Sequence, residues 1–570
     1  MKTTHEGALL VAACGLLYLT GSGETPFYTR GEPREGLVVR EMLRTGDWLV
    51  PARPGGDLAR KPPLYYWAAA AATELLPDPP ERAMRLPSVL LGTAGVLATW
   101  AAAQRVLPPA GSLAAGLMLA TSFEWTRAAT SARVDMALAA PLALLLAAWC
   151  VALARPDVRR GVLVLIAITA ATLGTLAKGP IALVLPALAV AALLAPSRHR
   201  AATLGLRPLT TLVVAAALAA LWYAAAFARE GWAFVDVVAR ENVLRFLDTD
   251  AADTGHAHGA PYLLVLGLVG LLPWTPIASF ALAAPRSPAM AMATAWTVSG
   301  IVFLALAASK RSVYLLPLYP AVALLVAGGM TAPDGAGRAR RLARLGARAY
   351  PLAFALIAAV AAAGALGLDV AAPIRPWLKP QDAAGAVALI AAAREAGAPL
   401  LLLALGTAGA ALAAGRAARA DAWPRLVLVV AAAFVAWTAF FNGVLHPAIG
   451  RSRSVREFLA HVGNIVPPDA PLHTRFPPDP ALRFYTPRDL VPWPDDRLAG
   501  GYVLLWENEW RTIRDARGAP LDVVAVSDSS RPHNGHLALV RVPAGPLHAA
   551  AAPPADAAPP GLRNPHHSGD

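Results

Sequence analysis

Apolar stretches of about 17–25 residues, each long enough to cross a bilayer, recur along roughly the first 450 positions of this 570-residue chain. Lipid offers no partners to backbone N–H and C=O groups, so such stretches must be helices. Only 15% of the residues are charged and 56% are hydrophobic, where a soluble chain carries roughly a quarter charged residues. A water-soluble core is excluded, and the chain reads as a polytopic α-helical membrane protein. We place about thirteen spans, near 7–22, 84–105, 109–124, 135–154, 160–176, 179–196, 208–228, 260–284, 289–308, 312–330, 349–370, 398–415 and 424–446. Residues 64–76, which follow a Pro pair, could be a re-entrant helix.

The net charge of +13 would suggest nucleic acid in a soluble protein. Here the excess is Arg in short loops between apolar segments, the pattern that sets membrane orientation. With the N-terminus cytoplasmic, the inner loops hold groups such as Arg155, Arg159 and Arg160, or Arg338, Arg340, Arg341, Arg344 and Arg348. The short outer loops hold only Arg127, Arg133, Lys178, Lys310 and Arg311. The run from Ala8 to Thr20 lacks a cleavage signature and is expected to be a retained first span rather than a leader. Cys14 and Cys150 lie inside apolar segments and are expected to be small buried hydrophobes.

Composition changes near residue 448. Short β-rich runs (Tyr502–Trp506, Val523–Val526, Leu537–Val540) alternate with helix-like pieces (Ser454–Val462, Glu509–Ala516), which predicts a small α/β domain of about 95 residues. The expected division is a transmembrane part over 1–447, with a first outer loop at about 23–83, then an extracytoplasmic domain over 448–545. The Ala/Pro-rich stretch 546–570 is an expected disordered tail.

Polar groups are costly near a bilayer, so their clustering is informative, and in this topology they fall on the outer side. Residues 31–51 contain Val38, Val39, Met42 and Leu43 on one helical face with Arg40, Glu41 and Arg44 off it, as in a helix lying in the membrane interface. Glu32, just ahead of those positions, is a candidate general base. Lys61 precedes a rigid Pro pair and an apolar helix and suits a fixed cation facing a lipid phosphate; a snorkelling Lys is the plainer alternative. Asp135 opens the fourth span, where it could also simply favour the helix dipole. Lys178 interrupts two apolar runs. The segment from Glu241 to Phe246 contains Arg245 and is followed by His256 and His258; a His-x-His pair alone does not make a metal site. Lys310, Arg311 and Tyr314 form an outer turn whose cations oppose the charge rule.

In order and spacing, these segments resemble the bacterial aminoarabinose transferase and protein O-mannosyltransferase group, family 39 glycosyltransferases of the GT-C fold. The resemblance runs from about residue 25 to 330. It rests on Glu32-Pro33-Arg34-Glu35, Arg40-Glu41-Met42-Leu43, Gly46-Asp47-Trp48-Leu49-Val50-Pro51, Lys61-Pro62-Pro63-Leu64, Arg85-Leu86-Pro87-Ser88, Arg133-Val134-Asp135-Met136, Leu176-Ala177-Lys178-Gly179-Pro180, Leu272-Pro273-Trp274 and Ser309-Lys310 with Tyr314-Leu315-Leu316-Pro317. It implies a cytoplasmic N-terminus, an active site in the first outer loop, a polyprenyl-phosphate-linked sugar as donor and residence in a bacterial inner membrane. The family's Asp-Glu pair is here Gly31-Glu32, and its acid before the Lys-Pro, linked to a metal, is here Arg60. The resemblance therefore implies Glu32 as base with Asp135 second, and no metal or other cofactor.

The expected reaction is a single displacement with inversion at the anomeric carbon. Glu32 or Asp135 accepts a proton from a lipid, glycan or protein hydroxyl. Lys61, Arg245, Lys310 and Arg311, with Tyr314, offset charge on the leaving phosphate; Arg34, Lys178, His256 and His258 complete the candidate set. A protein O-mannosyltransferase is the nearest alternative, and a transporter or flippase a distant one, since no internal repeat is evident.

Overall fold

The computed structural model describes residues 2–29, 31–76, 79–195, 199–244, 259–332, 337–378, 380–486, 488–493, 501–517, 521–531 and 534–542. It divides into two compact units, Met1–Ser454 and Val455–Asp570.

The first unit is helical, and the chain is a multi-pass membrane protein. Among the described residues nine helices are long and apolar enough to cross a membrane, and Pro261–Gly270 with Thr275–Ala283 forms a further pair bent by 105°. Three shorter apolar helices, Thr4–Leu19, Pro109–Ala120 and Ile181–Leu194, coincide with the first, third and sixth expected spans. The span expected at 260–284 is thus not a straight helix: Pro273 and Pro276 lack the N–H groups that would carry it through. The stretch 312–330 likewise starts as a 3-10 turn, Ser312–Leu318, holding Pro317, before the α-helix Tyr319–Met330. Residues 64–75 form a twelve-residue helix behind Pro63.

The interface helix expected around residues 38–44 runs from Gly31 to Thr45, with Val38, Val39 and Met42 buried. At the centre of the unit lie the fully buried Trp125, Trp149, Trp274 and Trp296. Lipid tails are as apolar as the core, so packing rather than water exclusion drives these helices together, and small residues let backbones meet. Gly329 is such a contact: a Cβ there would lie 1.8 Å from the carbonyl oxygen of Phe280 on the bent pair.

The second unit is a five-stranded mixed sheet with helices: β1 Leu472–Thr474, β2 Leu490–Pro492, β3 Gly501–Trp506, β4 Asp522–Arg531 and β5 Gly535–Val542. Their order is β2-β1-β3-β5-β4, with β1 parallel to both neighbours and the β3–β5 and β4–β5 pairs antiparallel. Leu504 and Trp506 pack with Phe458, Leu459 and Val462 of the helix Arg456–Ile465, whereas Val503 and Leu505 pack with Ile513 of Glu507–Arg517. Burial on both faces explains why Tyr502–Trp506 is apolar throughout rather than alternating.

Gly329→Ala is expected to cost about 1–3 kcal/mol or more by overpacking, read as a lower midpoint of thermal unfolding in detergent. An unchanged midpoint would mean that helix Tyr319–Met330 does not touch the bent pair.

Candidate functional site

The segment that follows the first apolar helix is fixed to the bundle by charge. Arg85, in helix Pro80–Val106, donates to both carboxylate oxygens of Glu32 (Nε–Oε1 2.8 Å, Nη2–Oε2 3.1 Å) and through Nη1 to the carbonyls of Ser22 and Thr25, each at 2.7 Å. The Ala132 N–H also donates to Glu32 Oε1, at 3.0 Å. Burial by itself would raise the Glu32 carboxyl, but the Arg85 charge and hydrogen bonds, with the Ala132 amide, hold it below the ordinary carboxylate value. One turn on, Glu35 accepts from Arg34 Nη2 at 2.7 Å and from the buried Tyr66 hydroxyl at 2.6 Å. The Gly46–Pro51 stretch docks onto helix Pro208–Glu230: Arg229 pairs with Asp47 at 2.7 Å and the Trp222 indole donates to the Leu49 carbonyl at 2.9 Å.

Next to these lies a cavity of about 320 Å³ whose walls include Lys61, Lys178, Glu241, Asn242, Ser309 and Tyr314. Its remaining lining is almost wholly apolar: Leu138, Ile181, Val184, Leu185, Phe303, Leu304 and Val313, with Ala and Pro. Each of the two lysines on the wall meets an acid. Lys61 Nζ lies 2.8 Å from Glu241 Oε2, and Arg60 Nη1 lies 3.5 Å from Glu241 Oε1. Lys178 Nζ lies 2.5 Å from Asp135 Oδ1 and sits over the Tyr314 ring, 5.4 Å from its centroid. Arg133 Nε lies 3.3 Å from Asp135 Oδ2. Ser309 Oγ is buried and has no hydrogen-bond partner among the described residues.

Local sequence explains the placement. Lys178 is the last residue of helix Arg160–Lys178, ended by Gly179 at φ +83° and Pro180. A Cβ on Gly179 would lie 2.7 Å from Asn242 Oδ1, so glycine is what lets the turn Arg240–Leu244 approach Lys178. The same turn carries Glu241 to Lys61.

Of the residues expected at the site, the fold gathers Lys61, Lys178 and Tyr314 on one cavity. Asp135 stands behind Lys178, and Glu32 is not among the lining residues. Lys310 is also off the wall: it is buried and donates to the Ala307 carbonyl at 2.8 Å. Arg311 heads the turn Ser312–Leu318, and Arg34 is engaged by Glu35. Arg245, His256 and His258 lie outside the described residues. The sequence alone assigns no role to Glu241, Asn242 or Ser309; the signal for Glu241 is an acid set between Arg240 and Arg245. Among the described residues no three His, Cys, Asp or Glu side chains cluster as a metal site, and Arg60 presents a cation to Glu241.

Comparison with known proteins points the same way. Residues 60–224 match the family model described as dolichyl-phosphate-mannose-protein mannosyltransferase. The undecaprenyl phosphate-alpha-4-amino-4-deoxy-L-arabinose arabinosyl transferase of Aeromonas salmonicida is 30% identical over 322 residues, 55% of this chain and 57% of that protein. Its namesake from Sodalis glossinidius is 32% identical over 336 residues, 56% of this chain and 58% of that protein. The chain thus spans somewhat over half the length of these relatives. The crystal structure of ArnT from Cupriavidus metallidurans bound to undecaprenyl phosphate matches 96% of this chain and 99% of that one, with TM-score 0.72 and 20% identity. The apo form of the same protein gives TM-score 0.69. The expected GT-C fold and the family resemblance read from the motifs are borne out.

Removing one partner of a buried ion pair costs about 3–5 kcal/mol, so Arg85→Met is expected to lower the thermal midpoint sharply. Because the Glu32 carboxyl is depressed below its ordinary 4.5, the pair's stabilisation is complete above that value and is lost as pH falls through the folded-state value. Thermal midpoints measured from pH 7 down to about 3.5 should fall less steeply in Glu32→Gln than in the wild type; parallel curves would contradict the assignment.

Proposed function

We propose that this chain, a GT-C-fold relative of the aminoarabinose transferases, is a membrane glycosyltransferase that moves a sugar from a polyprenyl phosphate to a hydroxyl on the outer face of a bacterial inner membrane. The observation that carries this reading is that two lysines and a tyrosine share one cavity with an otherwise mostly apolar lining. A polyprenyl-phosphate sugar has the same two halves. Its isoprenoid chain lies along Ile181, Val184, Leu185, Phe303 and Leu304, and its phosphate sits between Lys61 and Lys178, near Tyr314. Arg311 adds positive potential on the outer face.

The reaction is a displacement at the anomeric carbon. The acceptor oxygen forms the new bond while the bond to the phosphate oxygen breaks. The leaving phosphate gains a full negative charge, and ammonium groups already in place stabilise that charge without reorganisation. Glu32 and Asp135 act in this scheme through the cations that they hold. Glu32 spends its lone pairs on Arg85 and the Ala132 amide, fixing the first outer segment. Asp135 orients Lys178. A divalent cation has no role in offsetting the phosphate charge, because the site is already lined with cations and Arg60 takes the place of the acid.

The acceptor is a lipid or glycan of the envelope; a protein acceptor is the second reading, favoured by the match of residues 60–224 to the protein mannosyltransferase family model. The transmembrane part is the catalytic domain.

Purified protein is expected to bind undecaprenyl phosphate, with binding weakened about tenfold or more in Lys61→Ala and in Lys178→Ala, the loss of one charge-assisted contact. Binding without any change in envelope lipids, glycans or proteins on deletion of the gene would favour a flippase instead. Transfer is expected to continue in EDTA; dependence on a divalent cation would overturn the charge argument.

A further inference from the structure

Among the described residues that line the cavity, Ser309 is the one whose buried side-chain oxygen has no hydrogen-bond partner. The other polar groups are engaged. Lys61 pairs with Glu241, Lys178 with Asp135, and Asn242 donates to the Val238 carbonyl at 2.8 Å. Taking a hydroxyl out of water without a partner is costly. A folded chain that leaves one so calls for a reason, and a ligand of the cavity supplies it.

The segment that carries Ser309 is held on both sides. Helix Pro288–Leu306 ends at Ala307, whose extended backbone (φ −64°, ψ 140°) does not continue the helix. The buried Lys310 folds its ammonium back onto the Ala307 carbonyl at 2.8 Å, which closes the chain around Ser309. The turn Ser312–Leu318 follows, and Arg127 Nη2 donates to Ser312 Oγ at 3.3 Å. Ser309 is itself only 5% exposed. A fixed backbone thus presents it to the cavity, and Lys310, which is off the wall, acts by fixing that backbone.

We propose that the Ser309 hydroxyl is a third contact to the donor's phosphate, alongside Lys61 and Lys178. The proposal rests on the reading of the cavity as a lipid-phosphate site. An isoprenoid chain carries no hydrogen-bonding atom, so only the head of such a ligand can satisfy the hydroxyl. Within the head the phosphate is favoured, because Ser309 shares its strip of wall with Val313 and Tyr314, and Lys178 sits over the Tyr314 ring. Non-bridging phosphate oxygens have room for several donors, and a hydrogen bond to an ionised oxygen is about twice as strong as a neutral one. The three contacts differ in kind. A lysine brings charge on a flexible stem, and both lysines here are shared with a carboxylate. Ser309 brings a neutral donor from one place, with no acid holding it, and so sets where the phosphate stops along the cavity.

Ser309→Ala deletes the hydroxyl and leaves the apolar lining, and Ser309→Cys keeps the volume with only a weak S–H donor. Undecaprenyl phosphate binding, and the thermal midpoint without ligand, are measured on purified full-length wild type and both variants. The expected result is binding weakened about tenfold or more in each variant, the loss of one hydrogen bond to a charged group. The midpoint without ligand is expected to be unchanged or raised in Ser309→Ala, because the empty protein loses no bond. Wild-type affinity in Ser309→Ala would overturn the proposal. So would affinity restored by Ser309→Cys, since volume and not the hydrogen bond would then matter. A lowered midpoint in Ser309→Ala would also overturn it, because the hydroxyl would then serve the fold. A wild-type protein that does not bind undecaprenyl phosphate would instead remove the underlying reading of the cavity.

Discussion

An unpaired charge beside lipid is expensive, and the organisation of the first unit follows from how this chain meets that cost. Lys61, Lys178 and Arg85 each have an acid within ion-pair distance, although they come from segments far apart in sequence. Pairing lets cations stand at the head of an apolar cavity without a ligand.

The three pairs differ in what they can give up. Glu32–Arg85 is saturated: two contacts between the side chains, an amide on the acid and two carbonyls on the guanidinium leave it no spare capacity, so its part is architectural. Asp135–Lys178 is held by Arg133 on one side and the Tyr314 ring on the other, and fixes the direction of one lysine. Glu241–Lys61 lies on the cavity wall, on a turn that sits against Gly179. The membrane environment supplies the reason each is paired.

Much of the fold was legible in the sequence because a bilayer permits few solutions. Every expected span coincides with a helix or helical pair, since an apolar run of that length has no other way to satisfy its backbone. Prolines account for the departures at 260–284 and 312–330, where they break the helix without ending the apolar character by which the span was recognised. In the second unit the long strands β3, β4 and β5 were readable, but the three-residue β1 and β2 carry too little pattern to show. The site was legible in kind rather than in detail. Lys61, Lys178 and Tyr314 stood out as polar residues in motifs, yet the roles given to Glu32 and Lys310 took no account of partners more than fifty residues away or across a turn. Glu241 went without a role because its importance comes from facing Lys61, 180 positions away, a relation no local spacing encodes.

The most direct measurement is an experimental structure of the full chain with undecaprenyl phosphate bound. The account predicts the isoprenoid chain along Ile181, Val184 and Phe303, and the phosphate between Lys61 and Lys178. A lipid phosphate elsewhere on the protein would contradict it.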